Sequence, residues 1–330
     1  MYKKFFGLKE NPFNVNPDPR YLFLTPHTQE ALACLTYGIE TRKGFVLLTG
    51  EVGTGKTTLI NKLLEWLNKE RVSTAFVFNP RLSVAEFFDF MMADFGIPCE
   101  SRQKGQMLMK LNQWLMDRYQ AGERAVLVVD EAQNLSPQML EEIRLLTNLE
   151  TSTEKLLQIV LSGQPELEHK LNQPELRQLR QRITLRARTR QLTLEETQGY
   201  IQERLRIAGA ENRDIFSPEA VAKIHQYSRG IPRVTNLLCE HALVSAFVDQ
   251  KCPIPPEFVE EVARDFDLDT VDPLARPPRP ERAASQTALA GTNGTQPQLL
   301  ESLVQALNTI VDRLNQSEPS PVESDPEPKL

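Results

Sequence analysis

Residues Gly50 to Thr57 read GEVGTGKT and satisfy the G-x-x-x-x-G-K-[ST] phosphate-binding pattern at every fixed position. They follow the apolar run Phe45-Val46-Leu47-Leu48 and precede Thr58-Leu59-Ile60, so the pattern sits where a strand gives way to a helix. The constraint is steric first. Glycines at 50, 53 and 55 let the backbone wrap around phosphates with amide N–H groups pointing inward, where side chains would block the approach. It is electrostatic second: the helix N-terminus faces the same anion, and Lys56 adds a point charge for the β- and γ-phosphates. Gly50, Glu51, Val52, Gly53, Thr54, Gly55, Lys56, Thr57 and Thr58 are therefore the expected nucleotide-binding residues, with the Thr57 hydroxyl placed to ligate Mg2+.

The second half of such a site is an apolar strand ending in acid. Ala125-Val126-Leu127-Val128-Val129-Asp130-Glu131 supplies it, as a Walker B strand. Five consecutive apolar residues fit a central parallel strand buried on both faces, and such strands deliver ligands at their carboxyl ends. Asp130 is expected in the Mg2+ shell. Glu131 is expected to orient and polarise the attacking water, which favours ATP hydrolysis over simple nucleotide binding.

Composition excludes several other classes. The chain has 330 residues, enough for two folded domains, and 40% hydrophobic content to form their cores. Cys34, Cys99, Cys239 and Cys252 are scattered without a C-x-x-C and do not combine with the four histidines at metal-ligand spacing. Reduced structural thiols and a cytoplasmic location are expected. The opening MYKKFFGLKENPF carries charges and a proline where a secretory signal needs a continuous apolar core, and no window approaches a membrane span.

Charge is unevenly placed. From Asp265 onward there are eleven acidic against five basic side chains, which accounts for the whole net charge of −6. The same stretch holds nine of the 23 prolines, including Arg276-Pro277-Pro278-Arg279-Pro280, so 268–296 reads as a flexible linker. Within Gln298 to Asn315, Leu300, Leu303, Leu307, Ile310 and Leu314 are spaced 3-4-3-4, a two-heptad stripe on an expected short helix over 297–316. Either a docking helix or a transient one fits that stripe, and 317–330 reads as a disordered acidic tail.

Between these landmarks, strands alternate with helical patterns, the signature of a doubly wound α/β sheet. A strand is expected over 73–79, a helix capped by Ser83 with Phe87, Phe88, Met91 and Met92 inward, a helix from about 106 to 119, a helix from Ser136-Pro137, and a strand over 156–164. At the end of that last strand Ser162 and Gln164 are both candidates for a polar sensor of the γ-phosphate. From Arg177 to Arg190 there are six arginines in fourteen residues. An alternating strand with Ile183, Leu185 and Ala187 inward and Arg186, Arg188 and Arg190 solvated accounts for three of them. Arg182 lies at a helix end, where ring-forming ATPases place an arginine finger reaching the neighbour's γ-phosphate. A nucleic-acid patch is not favoured, since residues 1–264 sum to zero charge and interleaved aromatics are absent. Past residue 192 the pattern is all helical. Thr193 and Glu196 form a capping box, Ser217-Pro218 starts another helix, and Ser228-Arg229-Gly230-Ile231-Pro232-Arg233 makes a turn that sets Arg233 at a helix start.

Taken together, the opening YKKFFGLKENPFNVNPDPRYLFLTPHTQEALACLTYGI, GEVGTGKTT, VVDEAQNL, SGQPEL, LRQRI, LTLEETQGYIQERL and SRGIPRVTNLL resemble the AAA+ ATPases of the general secretion pathway protein A family across roughly residues 1–266. The resemblance implies a P-loop parallel sheet with helices on both faces (1–191), a small all-α lid (192–267) and a largely disordered tail. It also implies ATP and Mg2+ as cofactors, Arg182 as a trans finger, Arg233 as sensor 2, and Asn11-Pro12-Phe13 and Asp18-Pro19 beside the nucleotide. A homo-oligomer is expected.

Some members of that family carry a membrane helix and a peptidoglycan-binding module and help assemble a secretion channel. Others serve exopolysaccharide or pilus systems, and related ATPases regulate DNA transposition. With neither a span nor a wall-binding module read in these 330 residues, a departure from the first type is expected. The expectation is a cytoplasmic motor or switch for an envelope secretion, exopolysaccharide or pilus system, held at the inner membrane by a partner that the tail recruits. The alternative is a DNA-binding regulator of the transposition type.

Overall fold

The computed structural model describes residues 2–78, 82–98, 103–211 and 214–268. The chain divides into a unit of residues 1–282 and a second of 283–330, and every described residue belongs to the first. Of the linker expected over 268–296 only Leu268 is described, packed against the helical cluster; the rest of it, the stripe and the acidic tail lie outside the described residues, as do Asn79 and Cys99.

Helices α1 (Tyr2–Phe5) and α2 (Pro26–Glu40) precede strand β1 (Phe45–Thr49) and helix α3 (Lys56–Leu67). The sheet layer continues through β2 (Val72–Val77), α4 (Val84–Asp94), α5 (Lys104–Gln120), β3 (Arg124–Val129) and α6 (Pro137–Leu146). It ends with β4 (Leu157–Gly163), α7 (Pro165–Leu171), α8 (Arg177–Arg182) and β5 (Leu185–Arg188). Four helices follow: α9 (Leu194–Ile207), α10 (Pro218–Ser228), α11 (Pro232–Val248) and α12 (Pro256–Asp265).

The five strands are parallel in the order β2-β3-β4-β1-β5. β1 and β4 are buried at every position and β3 at all but its first, which is why their sequences are mainly apolar, with Gln158 and Ser162 the buried polar side chains of β4. β4 lies between β1 and β3, with Leu48 opposite Ser162 and Val129 opposite Leu161. The carboxyl ends of the P-loop strand and the acid-terminated strand therefore open on the same edge, on either side of β4.

One apolar cluster joins Leu47, Leu127 and Leu161 of the sheet to Phe87 and Met91 of α4, Leu111 and Leu115 of α5, and Leu140 and Ile143 of α6. A second joins Tyr200 and Leu205 of α9, Ile224 of α10, Leu238 and Leu243 of α11 and Val259 of α12. Phe6, Leu8 and Phe13 of the N-terminal segment belong to this second cluster, so the first residues of the chain are built into its helical end. Phe13 is 1% exposed, and burying a ring of that size contributes roughly 1.5–3 kcal/mol.

Local signals predict the helix starts. Ser83 with Glu86 and Thr193 with Glu196 are reciprocal capping boxes, and Thr25, Ser136 and Ser217 accept from backbone N–H groups with a proline following each. The arginine-rich strand differs from expectation in extent. β5 begins at Leu185, with Thr184 just before it donating to the Phe45 carbonyl through both its backbone N–H (3.1 Å) and its hydroxyl (2.8 Å), and of the three residues expected inward Ala187 alone is buried. An edge strand has a single neighbour, here β1, and covers less of its side-chain surface.

Candidate nucleotide site

The loop from Gly50 to Gly55 leaves β1 and enters α3 in a tight wrap. Gly53 and Gly55 hold φ of +79° and +91°, the left-handed region. A β-carbon at Gly50 would fall 2.0 Å from Thr189 Oγ1, so the strand-loop junction has no room for one. The first turn of α3 carries no side-chain cap, which leaves its N–H groups directed at whatever the loop encloses.

Lys56 is buried, and its ammonium donates to the carbonyls of Gly50 (2.7 Å) and Glu51 (2.9 Å). Burial pulls its pKa below the ordinary lysine value, while the carboxylates of Glu131 and Asp130 act in the opposite direction. Thr54 is tied to β5's end by a 2.7 Å contact with Thr189 Oγ1 and donates to Glu51's carbonyl at 2.7 Å.

Thr57 Oγ1 donates to Asp130 Oδ2 at 3.1 Å, so a hydroxyl and a carboxylate from different elements already meet. Asp130 is 5% exposed, and its backbone N–H donates to Val77 at the end of β2. Its other carboxylate oxygen accepts from the Glu131 N–H at 2.9 Å. Glu131 itself holds φ +53°, a strained conformation for a residue with a β-carbon. Its Oε2 accepts from Gln133 Nε2 (2.5 Å) and from Gln164 Nε2 (3.3 Å).

These groups sit at one end of a cleft of about 330 Å3. One wall is the N-terminal segment, including Asn14, Asp18, Tyr21 and Phe23, held to α3 by the Asn61 amide donating to the Pro17 carbonyl (2.9 Å). Tyr200 and Arg204 of α9, in contact with that segment, and Arg233 and Asn236 of α11 also line the cleft. Arg233 is exposed at the second position of α11, and its backbone N–H donates to the Gly53 carbonyl at 3.2 Å. A β-carbon at Gly53 would stand 2.9 Å from Arg233 Cβ, so the P-loop and the last helices touch through backbone.

Val52, Gly53, Thr54, Gly55, Lys56, Thr57, Thr58, Glu131, Gln164 and Arg233 line the cleft together, as a nucleotide site requires. Gly50 and Glu51 lie behind it and receive Lys56, and Asp130 reaches it through Thr57. Ser162 is fully buried inside β4 with no hydrogen-bond partner among the described residues, whereas Gln164 is turned toward Glu131. Arg182 is exposed at the end of α8 and is not part of the lining.

Arg190 is exposed, as expected, but it also lines the cleft, which sequence reasoning did not foresee; Arg188 is paired with Glu168 at 2.9 Å. Sequence reasoning also missed Arg204, although an arginine four residues after Tyr200 on an otherwise apolar helix face was a visible anomaly. The residue types fit the implied ligands. Thr57 and Asp130 offer the hard oxygen donors that Mg2+ takes alongside phosphate and water, and the glycine cradle fits a phosphate chain.

Residues 39–171 match the family described as AAA domain. Over 248 residues the chain is 46% identical to general secretion pathway protein A of Aeromonas hydrophila, a match covering 75% of this chain and 45% of that protein. The chain thus spans less than half the length of that relative. Solved structures at low identity share the fold. The ORC2 protein of Aeropyrum pernix in its ADPNP-ADP complexes superposes with a TM-score of 0.59 at 16% identity, over 78% of this chain and 72% of that one. Cdc6p of Pyrobaculum aerophilum gives 0.58 at 18%, over 80% and 70%. Drosophila ORC bound to DNA gives 0.60 at 14%, over 94% and 79%. The chain carries an AAA domain and is related to general secretion pathway protein A over three quarters of its length, and its fold is the P-loop parallel sheet with helices on both faces.

Proposed function

We propose that this chain binds ATP with Mg2+ and hydrolyses it, and that the cycle works as a motor or switch for an envelope secretion, exopolysaccharide or pilus system. The observation that carries hydrolysis is the convergence of Glu131 on the same cleft as Lys56 and Thr57, with its carboxylate held by two amide donors. A site built only to bind has no use for a carboxylate fixed in a left-handed backbone conformation beside a phosphate loop. The 46% identity to general secretion pathway protein A supports the secretion side of the reading. A cytoplasmic location, peripheral at the inner membrane through a partner, goes with it; among the described residues no helix is long and apolar enough to cross a membrane.

In this reading residues 1–191 form the nucleotide-binding domain and 192–267 the helical lid. The P-loop amides and the α3 N-terminus bind the phosphate chain, and Lys56 leaves its carbonyl partners to neutralise the β- and γ-oxygens. Thr57 and Asp130 would hold Mg2+, whose role is to neutralise charge building on the phosphate oxygens. Glu131 orients the water on the far side of the γ-phosphate, Gln164 reads that phosphate, and Arg233 joins it to the lid. Hydrolysis then changes what the lid touches, which is how the chemistry reaches a partner.

Phosphate release and fluorescent-nucleotide binding test the core of this. Glu131→Gln is expected to keep ATP affinity and lose on the order of 10²-fold or more in turnover, as removal of one preorganised electrostatic group does. Lys56→Ala should lose both binding and turnover. Equal turnover in Glu131→Gln and the unaltered chain would remove the assignment.

A further inference from the structure

The amide of Gln133 occupies an unusual position. It lies two residues past Glu131 in the short turn Ala132–Asn134, and each end of it is used. Its Oε1 accepts from the backbone N–H of Gln164 (3.1 Å), and its Nε2 donates to Glu131 Oε2 (2.5 Å). The orientation of the amide is forced. A backbone N–H can only donate, so the oxygen must face Gln164, which leaves the NH2 for the carboxylate.

The turn is fixed from below as well. Lys170 Nζ donates to the carbonyls of Gln133 and Leu135 at 2.5 and 2.8 Å, so α7 holds the loop that carries the amide. Gly163 is the neighbour on the other side, and a β-carbon there would come within 2.9 Å of Gln133 Oε1. The result is a closed circuit: Glu131 to Gln133, Gln133 to the Gln164 backbone, and Gln164 Nε2 back to Glu131 Oε2 at 3.3 Å. Both donors converge on one oxygen. Glu131 Oε1 receives no hydrogen bond among the described residues and is the atom left to accept a proton from water.

We infer that Gln133 is a positioning residue for hydrolysis: it clamps Oε2 of Glu131 and presents Oε1, and it ties the acid after β3 to the end of β4 so that the two move together. This rests on the reading of Glu131 as the group that orients water. Charge-assisted hydrogen bonds have the geometric strictness such a clamp needs, and a water-orienting carboxylate misplaced by an ångström loses most of its effect. Gln133 touches neither the P-loop glycines nor Lys56 in the contacts it makes, so its contribution falls on turnover and not on ATP binding.

Steady-state turnover and nucleotide titration of the full chain and of four variants of it test this. Gln133→Met keeps the length and removes both hydrogen-bonding ends; it is expected to lower kcat by roughly tenfold or more while ATP affinity stays within about twofold. Gln133→Glu keeps the acceptor for Gln164 but sets a like charge against Glu131, and should lose at least as much; it decides the matter if the methionine variant fails to bind ATP. The deciding readout is coupling. On the residual turnover of Glu131→Gln, adding Gln133→Met should cost no more than about twofold, because a residue acting through Glu131 has nothing left to position. Full additivity of the two losses overturns the inference, as does a kcat for both Gln133 variants equal to that of the unaltered chain. Turnover that survives Glu131→Gln undamaged overturns the underlying assignment of Glu131 and this inference with it, whereas intact Glu131 dependence with silent Gln133 variants overturns this inference alone.

Discussion

A β-carbon at Gly53 meets two obstacles that cannot easily move. It would lie 2.9 Å from Arg233 Cβ and 3.0 Å from Ile231 Cγ2, atoms close to the backbone at the start of α11, and its φ of +79° adds strain of roughly 1–2 kcal/mol for any L side chain. Gly53→Ala is therefore expected to push the start of α11 away from the P-loop and to weaken ATP binding by about tenfold or more, since each 1.4 kcal/mol is a factor of ten. Nucleotide titration reads the loss, and unchanged affinity would mean that the lid adapts. The choice between Ser162 and Gln164 shows what single residues disclose. Both have the same strand parity, so alternation does not separate them. Depth does: Ser162 is opposite Leu48 inside the sheet, while Gln164 lies past the last strand residue and donates to Glu131. Such depth depends on where the neighbouring strand ends, which no local pattern encodes. The P-loop and acid pair were legible because their chemistry demands fixed residue types at fixed spacing.

At the scale of elements, helix starts were readable because caps are local, and the buried strands because a run of valines and leucines states its environment. The N-terminal segment was expected beside the nucleotide only through the family resemblance and not from any local pattern, since its placement is set by tertiary contacts from α9 and α11. Arg204 of α9 is 6% exposed and donates through Nε to the Pro12 carbonyl, through Nη1 to Tyr200 (2.8 Å) and through Nη2 to the Asn14 carbonyl (3.4 Å). Its guanidinium also stacks 4.5 Å from the Tyr21 ring. On α11, Glu240 accepts from Tyr2 and from Asn11 Nδ2 (3.0 Å). The segment that lines the cleft is thus fastened to the helices facing it. Arg204→Met keeps an apolar stem but strands two carbonyls, at a cost of roughly 2 kcal/mol or more in stability. A lower Tm should accompany faster tryptic cleavage after Arg20 and weaker ATP binding, because Asn14 to Phe23 line the cleft. Cleavage at the original rate, with affinity retained, would show that the apolar contacts of Phe6, Leu8 and Phe13 hold the segment without the arginine.

On the scale of the whole molecule, the cleft brings cations from its own chain, Lys56, Arg190, Arg204 and Arg233, and leaves Arg182 outside. Arg182 ends α8, exposed, and its guanidinium acts on the Glu150 carboxylate, which it helps Lys155 to hold below its ordinary pKa. In a homo-oligomer built head to tail, as expected from the sequence, a guanidinium outside its own site would be able to complete a neighbour's. Arg182→Ala is then expected to bind ATP within about twofold of the unaltered chain while turnover falls roughly 10²-fold or more. Mixing decides between a trans role and a loss of local structure. A Lys56→Ala subunit cannot bind nucleotide but still offers Arg182, and an Arg182→Ala subunit still has a complete P-loop. Interfaces that join the first subunit's arginine to the second's nucleotide should hydrolyse ATP faster than either variant alone. Specific activity of the unaltered chain should also fall on dilution, because each site would need a neighbour. If the mixture is no more active than the sum of its parts and dilution has no effect, Arg182 is a solvated helix end and each chain works alone.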